Sequence, residues 1–225
     1  VTPTAHNAAG EESASTRVRH ELVGDLTSKE IHRLSTFLSG AFSDDPMQRW
    51  LFPRDDQRIA QIAEVMQRDI THRIAPATRL LTGSDGNSAA FVEHRKKPPS
   101  PTKSLRVAPA FLSLIGPRAV RAWQMLRLVE TAHRTVGPHL YVMHLAVAEP
   151  HRNRGRAAAL LDHTMTAAKQ RDAGVYLETA NPAALPLYAR HGLMVRDEIR
   201  LPSVPPVWTL WRPPANIEPI SDDQG

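Results

Sequence analysis

HLYVMHLAVAEPHRNRGRAAALLDHTMTAAKQRDAGVYLET, residues 139–179, is the stretch whose reading decides the fold. It opens on a run rich in Leu, Val and Tyr that reads as a strand over 139–148. Past Pro150 comes a short loop, Arg152-Asn153-Arg154-Gly155, and then a helical pattern from Gly155 to Arg171. Leu160, Leu161, Thr164, Met165 and Ala168 share one face of that helix. Gly174 to Thr179 reads as a second strand.

A strand that runs through a glycine loop into a helix N-terminus is an anion site. The first helical N–H groups lack acceptors, and the helix dipole is positive there. Gly155 allows close backbone approach, Ala157 and Ala158 keep side chains out of the way, and Arg152, Arg154 and Arg156 add positive charge. On spacing alone an ordinary strand-to-helix turn with exposed arginines competes about evenly. The loop lacks the Gly-Lys-Ser/Thr of a P-loop and is no GxGxxG fingerprint.

Outward from this unit, Pro182 to Arg190 reads as a short helix stopped by Gly192. Leu193 to Arg200 and Val207 to Trp211 read as final strands, with Trp208 and Trp211 suggesting a sheet edge. Upstream, Val18 to Val23 reads as a first strand. Thr27-Ser28-Lys29-Glu30 is a capping box for a helix ending near Ala41. Phe42–Phe52 is read as a loop, and Asp55-Asp56 precede a helix whose apolar face is Ile59, Ile62, Ala63, Met66 and Ile70. Ala77 to Thr82 and Ser88 to Glu93 form a hairpin around Gly83–Asn87. Lys96 to Pro101 is loop, Leu105 to Ile115 is ambiguous and read as a short helix, and Pro117 opens a helix running to about Arg134. The fold class is therefore α/β: one mixed sheet with helices on both faces. The domain is expected over 17–213, between tails at 1–16 and 214–225.

The absence of cysteine excludes disulfides, thiolate zinc sites and cysteine nucleophiles. No convincing His/Asp/Glu metal cluster is visible, so no metal is expected. No apolar run approaches the roughly 20 residues of a membrane span. The N-terminal residues lack the pattern of a signal peptide, so a cytoplasmic protein without a membrane partner is expected. The formal charge of +5 is spread along the chain and fits an anionic ligand better than a nucleic-acid surface.

Leu145-Ala146-Val147, then Arg152-x-x-Gly155-x-Ala157, then Leu160-Leu161, resembles the GNAT superfamily of N-acetyltransferases, whose signature is Gln/Arg-x-x-Gly-x-Gly/Ala. The downstream runs Tyr176-Leu177-Glu178-Thr179-Ala180-Asn181-Pro182 and Leu187-Tyr188-Ala189-Arg190-His191-Gly192-Leu193 resemble its next block. Within the family the pattern is nearest to puromycin N-acetyltransferase-like enzymes. Ala157 replaces the final loop glycine, Arg156 stands at a commonly apolar position, the usual proline is displaced to Pro150, and Leu193 stands where Phe is common.

The resemblance implies a splayed sheet that takes acetyl-CoA as co-substrate between strands 139–148 and 174–179. It implies that backbone groups of Leu145, Ala146 and Val147 pair with the pantetheine arm like an added strand. The Val147 N–H is then a candidate donor to the thioester carbonyl. Backbone N–H groups from Asn153 to Ala158 would hold the pyrophosphate, with Asn181 and Leu187 beside the cofactor. Tyr188 matches the general acid to the CoA sulfur; its alternative is a core aromatic. For Asn181 the alternative is a helix N-cap.

The base is open. Glu178 is a candidate, with a salt-bridged carboxylate equally plausible. Tyr141 could orient a water. Strand alternation puts His144 on the face opposite Tyr141, Met143 and Leu145, as a structural histidine. Asp44 and Asp45 either line the acceptor site or cap a helix. The expected activity is acetyl transfer to a small-molecule primary amine, by a monomer or homodimer. Protein N-acetylation, or a non-catalytic acetyl-CoA-binding regulator, is the alternative.

Overall fold

In the computed structural model, which describes residues 17–96 and 115–215, the 139–179 unit lies at the centre of a seven-stranded sheet. The strands are β1 (Val18–Leu22), β2 (Arg79–Gly83), β3 (Ser88–Arg95), β4 (His139–Val147), β5 (Gly174–Thr179), β6 (Met194–Ile199) and β7 (Val207–Arg212). Their spatial order is β1-β2-β3-β4-β5-β7-β6. β4 and β5 are parallel and every other neighbouring pair is antiparallel. The anticipated tail at 1–16, all but the first two residues of the one at 214–225, most of the loop after Lys96 and nearly all of the ambiguous helix before Ile115 lie outside the described residues.

The helices are α1 (Ser28–Ala41), α2 (Pro46–Leu51), α3 (Asp55–Arg68), α4 (Ala119–His133), α5 (Arg156–Lys169) and α6 (Leu185–Arg190). α1 begins at the expected capping box: Thr27 Oγ1 accepts from the Glu30 N–H at 3.3 Å, and the Thr27 N–H donates to Glu30 Oε2 at 2.8 Å. α5 and α6 bury Leu160, Leu161, Ala168 and Tyr188 on one face of the sheet against Val142, Val175, Leu177 and Leu210. On the other face α1, α2 and α3 bury Leu38, Leu51, Ile62 and Met66 against Phe91 and Ala146. α4 lies on β6 and β7, where Met125 joins Val204 and Val207.

Three expectations are corrected. Phe42–Phe52 is not a loop but contains α2, started by Asp45, whose Oδ1 accepts from the Met47 N–H at 2.9 Å. Ile59 is 53% exposed; its place on the buried face of α3 is taken by Arg58, whose Nε donates to the Phe52 carbonyl at 2.8 Å and satisfies the end of α2. The strand carrying Trp208 and Trp211 is not an edge, because β7 folds back between β5 and β6, leaving β6 outermost. That insertion seats the Trp211 ring where a Cβ on residue 174 would stand, so β5 must start with Gly174.

Among the described residues no helix is long and apolar enough to cross a membrane.

Candidate functional site

β4 and β5 pair from His139↔Gly174 to Val142↔Leu177 and no further. Beyond that point β4 stays bound to β3 and β5 to β7, so the two parallel strands part company. The Ala148 N–H donates to the Asn87 carbonyl at 2.9 Å, on the β3 side. Backbone groups of successive strand residues point to opposite edges. The N–H groups of Val147 and Leu145 therefore point into the gap, while Ala146 is committed to β3. Of the three consecutive residues expected to offer backbone groups, Leu145 and Val147 face the gap and Ala146 faces β3.

The parting coincides with a β-bulge. Val142 pairs with Val92 and His144 with Phe91, so Met143 is an extra residue on β4. The bulge shifts the alternation by one. His144 lies at 5.6 Å (ring centroids) from Phe91 and 6.0 Å from Phe42, on the α1 side of the sheet. It therefore shares a face with Met143 and Tyr141, opposite Leu145, contrary to strict alternation. No sequence signal marks the bulge.

The glycine loop takes left-handed backbone twice, at Asn153 (φ 60°) and Gly155 (φ 75°). Gly155 is the N-cap of α5 and no side chain caps that end, so the first N–H groups of the helix are left for a ligand. The arginines divide. Arg152 Nη2 donates to the Ala41 carbonyl at 2.8 Å. Arg156 binds Asp85 in the β2–β3 turn, with Nε and Nη2 both on Oδ2 at 2.9 and 2.5 Å. Much of the charge assigned to Arg156 is thus spent within the chain. Burial would raise the Asp85 carboxyl, but the Arg156 and Asn87 bonds outweigh it and hold it below its ordinary value.

Two cavities meet at the gap. The larger, about 660 Å³, is lined by Leu145, Ala146, Val147, Arg152, Asn153, Gly155, Arg156, Ala157, Ala158, Asn181, Leu187 and Tyr188. Among the anticipated ligand-binding residues only Arg154 is missing from this wall. Asn181 keeps its alternative role as well: Oδ1 accepts from the Ala183 N–H at 3.0 Å, an N-cap. The smaller cavity, about 230 Å³, is lined by Met47, Gln48, Met143, His144, Glu178 and Ala180 among others. Phe42, Asp45, Leu145, Thr179 and Tyr188 border both. Phe42, Met47 and Gln48 were not singled out in the sequence, although Asp45-Pro46 is a helix-start signal that marks α2.

Tyr188 is 7% exposed and belongs to the core as well as to the junction. Burial, with the Asp45 carboxylate nearby, pushes its phenol up to about 12, so it stays protonated at neutral pH. Burial also raises the Asp45 carboxyl, against the pull of the Gln48 and Met47 N–H groups.

Glu178 reaches the smaller cavity from β5. Its Oε2 accepts from the Tyr141 hydroxyl at 2.7 Å, and its Oε1 is buried without a hydrogen-bond partner among the described residues, 3.5 Å from His133 Nδ1. Burial lifts the carboxyl to about 7, against the lowering pull of the Tyr141 and Tyr176 hydroxyls and of Arg95. No lysine or arginine side chain forms a salt bridge to it among the described residues, which disfavours the ordinary salt-bridged role.

The model of the acetyltransferase (GNAT) family matches residues 29–193. A solved structure described as histone acetyltransferase and related acetyltransferase, from Corynebacterium glutamicum, is 24% identical, covers 88% of this chain and 97% of its own, and has a TM-score of 0.60. The polyamine N-acetyltransferase of Drosophila melanogaster is 16% identical, with coverage of 87% and 99% and a TM-score of 0.61. Arylalkylamine N-acetyltransferase 2 of Aedes aegypti is 12% identical, with coverage of 87% and 98% and a TM-score of 0.56. At these identities the likeness is one of fold.

Proposed function

The chain belongs to the GNAT acetyltransferase family, and on that premise we propose that it moves the acetyl group of acetyl-CoA directly to the primary amine of a small molecule. The observation that carries the reading is the meeting of two cavities at Tyr188 and Leu145. One has the backbone donors for a diphosphate and an extended arm. The other is a separate chamber lined by carboxylates.

Bound acetyl-CoA supplies the activated acyl group. The chain supplies the rest. The uncapped N-terminus of α5 and the left-handed loop hold the pyrophosphate. The inward-facing groups of Leu145 and Val147 continue the sheet onto the pantetheine arm, and the Val147 N–H polarises the thioester carbonyl. Glu178 removes a proton from the ammonium group; a carboxyl held near 7 is suited to that task at neutral pH. Tyr188, kept neutral, returns a proton to the leaving sulfur. Asp45 and Glu178 line the acceptor chamber together, which favours a cationic acceptor.

The small size of that chamber favours a small amine over a polypeptide. Similar folds support this, since two of the solved structures are described as acting on polyamines and arylalkylamines. The nearness to puromycin-acetylating enzymes rests on the sequence runs at 176–182 and 187–193.

The test is to mix the protein with acetyl-CoA and a panel of aliphatic, guanidino and aromatic amines and follow free thiol. Amine-dependent release is expected. Tight acetyl-CoA binding with no release for any amine returns the protein to the non-catalytic reading.

A further inference from the structure

His133 lies buried beside Glu178 and His139 beside His133, 3% and 1% exposed, and no step above uses them. Their hydrogen bonds fix both tautomers. His139 Nδ1 is 2.6 Å from the Gly137 carbonyl oxygen, which can only accept, so Nδ1 carries the hydrogen. Burial lowers the basicity of His139, with Arg95 adding to the effect against the Gly137 bond, so its Nε2 is bare. His133 Nε2 lies 2.8 Å from that bare nitrogen and must donate to it. Burial, with Arg95 and His139 adding, pushes His133 down to about 2, so its other nitrogen, Nδ1, is bare as well. Arg95 Nη1 donates to this Nδ1 at 3.4 Å, and Glu178 Oε1 lies 3.5 Å from the same nitrogen.

We propose that His133 and His139 are a tautomer-locked pair that holds a nitrogen lone pair against Glu178 and thereby makes this carboxylate a stronger base. This rests on the reading of Glu178 as the base, and the two histidines are positioning residues that need not touch the amine. At Oε1 the ionised carboxylate meets a nitrogen that carries no hydrogen and whose lone pair accepts from Arg95, so His133 gives the anion no hydrogen bond. When the ammonium group R–NH₃⁺ gives its proton to Glu178, leaving R–NH₂ and a neutral carboxyl, the negative charge goes. If the proton settles on Oε1, its O–H can take the place of Arg95 Nη1 on His133 Nδ1. The opposite tautomer of His133 would donate to Oε1 and stabilise the anion, giving a weaker base.

The other groups facing Glu178 leave room for this effect. From β4 the Tyr141 hydroxyl donates to Oε2. From β5 comes the buried Tyr176 hydroxyl, which makes no hydrogen bond of good geometry among the described residues but lies near enough to Glu178 to favour its anion, and is itself held well above its ordinary value chiefly by burial and then by that carboxylate. From β3 comes Arg95, which favours the Glu178 anion, although its charge is shared with Glu93 at 2.9 Å and with the face of the Tyr141 ring at 4.3 Å, and its Nη1 donates to His133 Nδ1 at 3.4 Å. The neighbouring β7 residue, Thr209, does not titrate and donates to Asp197 Oδ2 at 3.0 Å.

The experiment reads the carboxyl itself. In protein labelled with ¹³C at glutamate carboxyls, the resonance lost in Glu178→Gln is titrated in the wild type and two variants. His139→Leu removes the acceptor for His133 Nε2 and frees the tautomer; the midpoint is expected to fall by at least one pH unit. His139→Gln can keep an acceptor oxygen there and is expected to restore it. The acid limb of the kcat/KM profile should move with the midpoint. An unmoved midpoint in folded His139→Leu overturns the proposal, whatever the activity. Full kcat in Glu178→Gln sinks the base assignment and not the lock. Side-chain ¹⁵N shifts of the wild type probe the lock without mutation: hydrogen on His133 Nε2 and His139 Nδ1 supports it, and the reverse pattern overturns it.

Discussion

Arg152 Nη2 donates to the Ala41 carbonyl oxygen at 2.8 Å and so ties the glycine loop to the C-terminus of α1. The bond satisfies one of the carbonyls that a helix end leaves open and fixes the loop at one side of the larger cavity. Arg152→Ala is expected to weaken acetyl-CoA binding by about tenfold, the loss of one charge-assisted bond at a solvated site. Arg152→Lys should recover only part of it, because an ammonium group lacks the planar fork. Calorimetric titration with acetyl-CoA checks this; wild-type affinity in both variants would remove the tie from the cradle.

Gly155 holds φ at 75° in open space, so Gly155→Ala meets strain without a clash. The cost is about 1 kcal/mol, or roughly 2–4 °C in the melting temperature of a chain this size. Acetyl-CoA affinity should fall more steeply than stability, because relief of the strain turns the loop N–H groups away from the anion. Thermal denaturation with and without acetyl-CoA separates the two effects.

Tyr188→Phe keeps the packing of the α6 face and removes the proton donor. A drop in kcat of roughly 10²-fold, with acetyl-CoA affinity nearly unchanged, is the size expected for a general acid. Stopped-flow thiol release provides the measurement. An unchanged kcat would reduce Tyr188 to a core aromatic.

Glu178 makes stability depend on pH with a defined sign. Its folded carboxyl is raised to about 7 from an unfolded value near 4.5. Its contribution is therefore fully present below about pH 4.5, declines as pH rises to 7, and is lost above it. The full effect is at most about 3 kcal/mol. Glu178→Gln should flatten this part of the stability curve and stabilise the fold at pH 8, while abolishing turnover. Urea denaturation at pH 5, 6, 7 and 8 tests it.

Asp85 and Arg156 join the β2–β3 turn to the start of α5. Asp85→Ala should cost no more than about 1 kcal/mol in stability. It should also release Arg156 toward the pyrophosphate, so that acetyl-CoA binding is equal or a few-fold tighter at low salt and indistinguishable at high salt. Weaker binding at low salt would show that the pair orders the loop.

The order of elements was legible because each carries a local signal: the Thr27–Glu30 box, Pro117 before α4, the hairpin turn at 83–87, Gly192 after α6. The loop and Tyr188 were legible because they fall at fixed spacing in contiguous sequence. What escaped the sequence depends on distant partners. The pairing of Arg156 with Asp85 and of Arg152 with Ala41 spans 71 and 111 residues. Arg58 displaces Ile59 from the buried face of α3 because carbonyls at the end of α2 need a donor. The histidine pair beside Glu178 is assembled from α4, β4 and β5, and nothing in the order of residues announces it.

The extra residue at Met143 divides β4 into two rulers with different zero points. Below it, parity is set by pairing with β5; above it, by β3 alone. Substitutions in the lower half can remodel the acceptor chamber without disturbing the phase of Leu145 and Val147. A one-residue deletion at 143 acts elsewhere: in a regular strand the face of a side chain and the edge of its N–H are coupled, so Leu145 and Val147 keep their gap-facing N–H groups, while the irregularity at which β4 leaves β5 is erased.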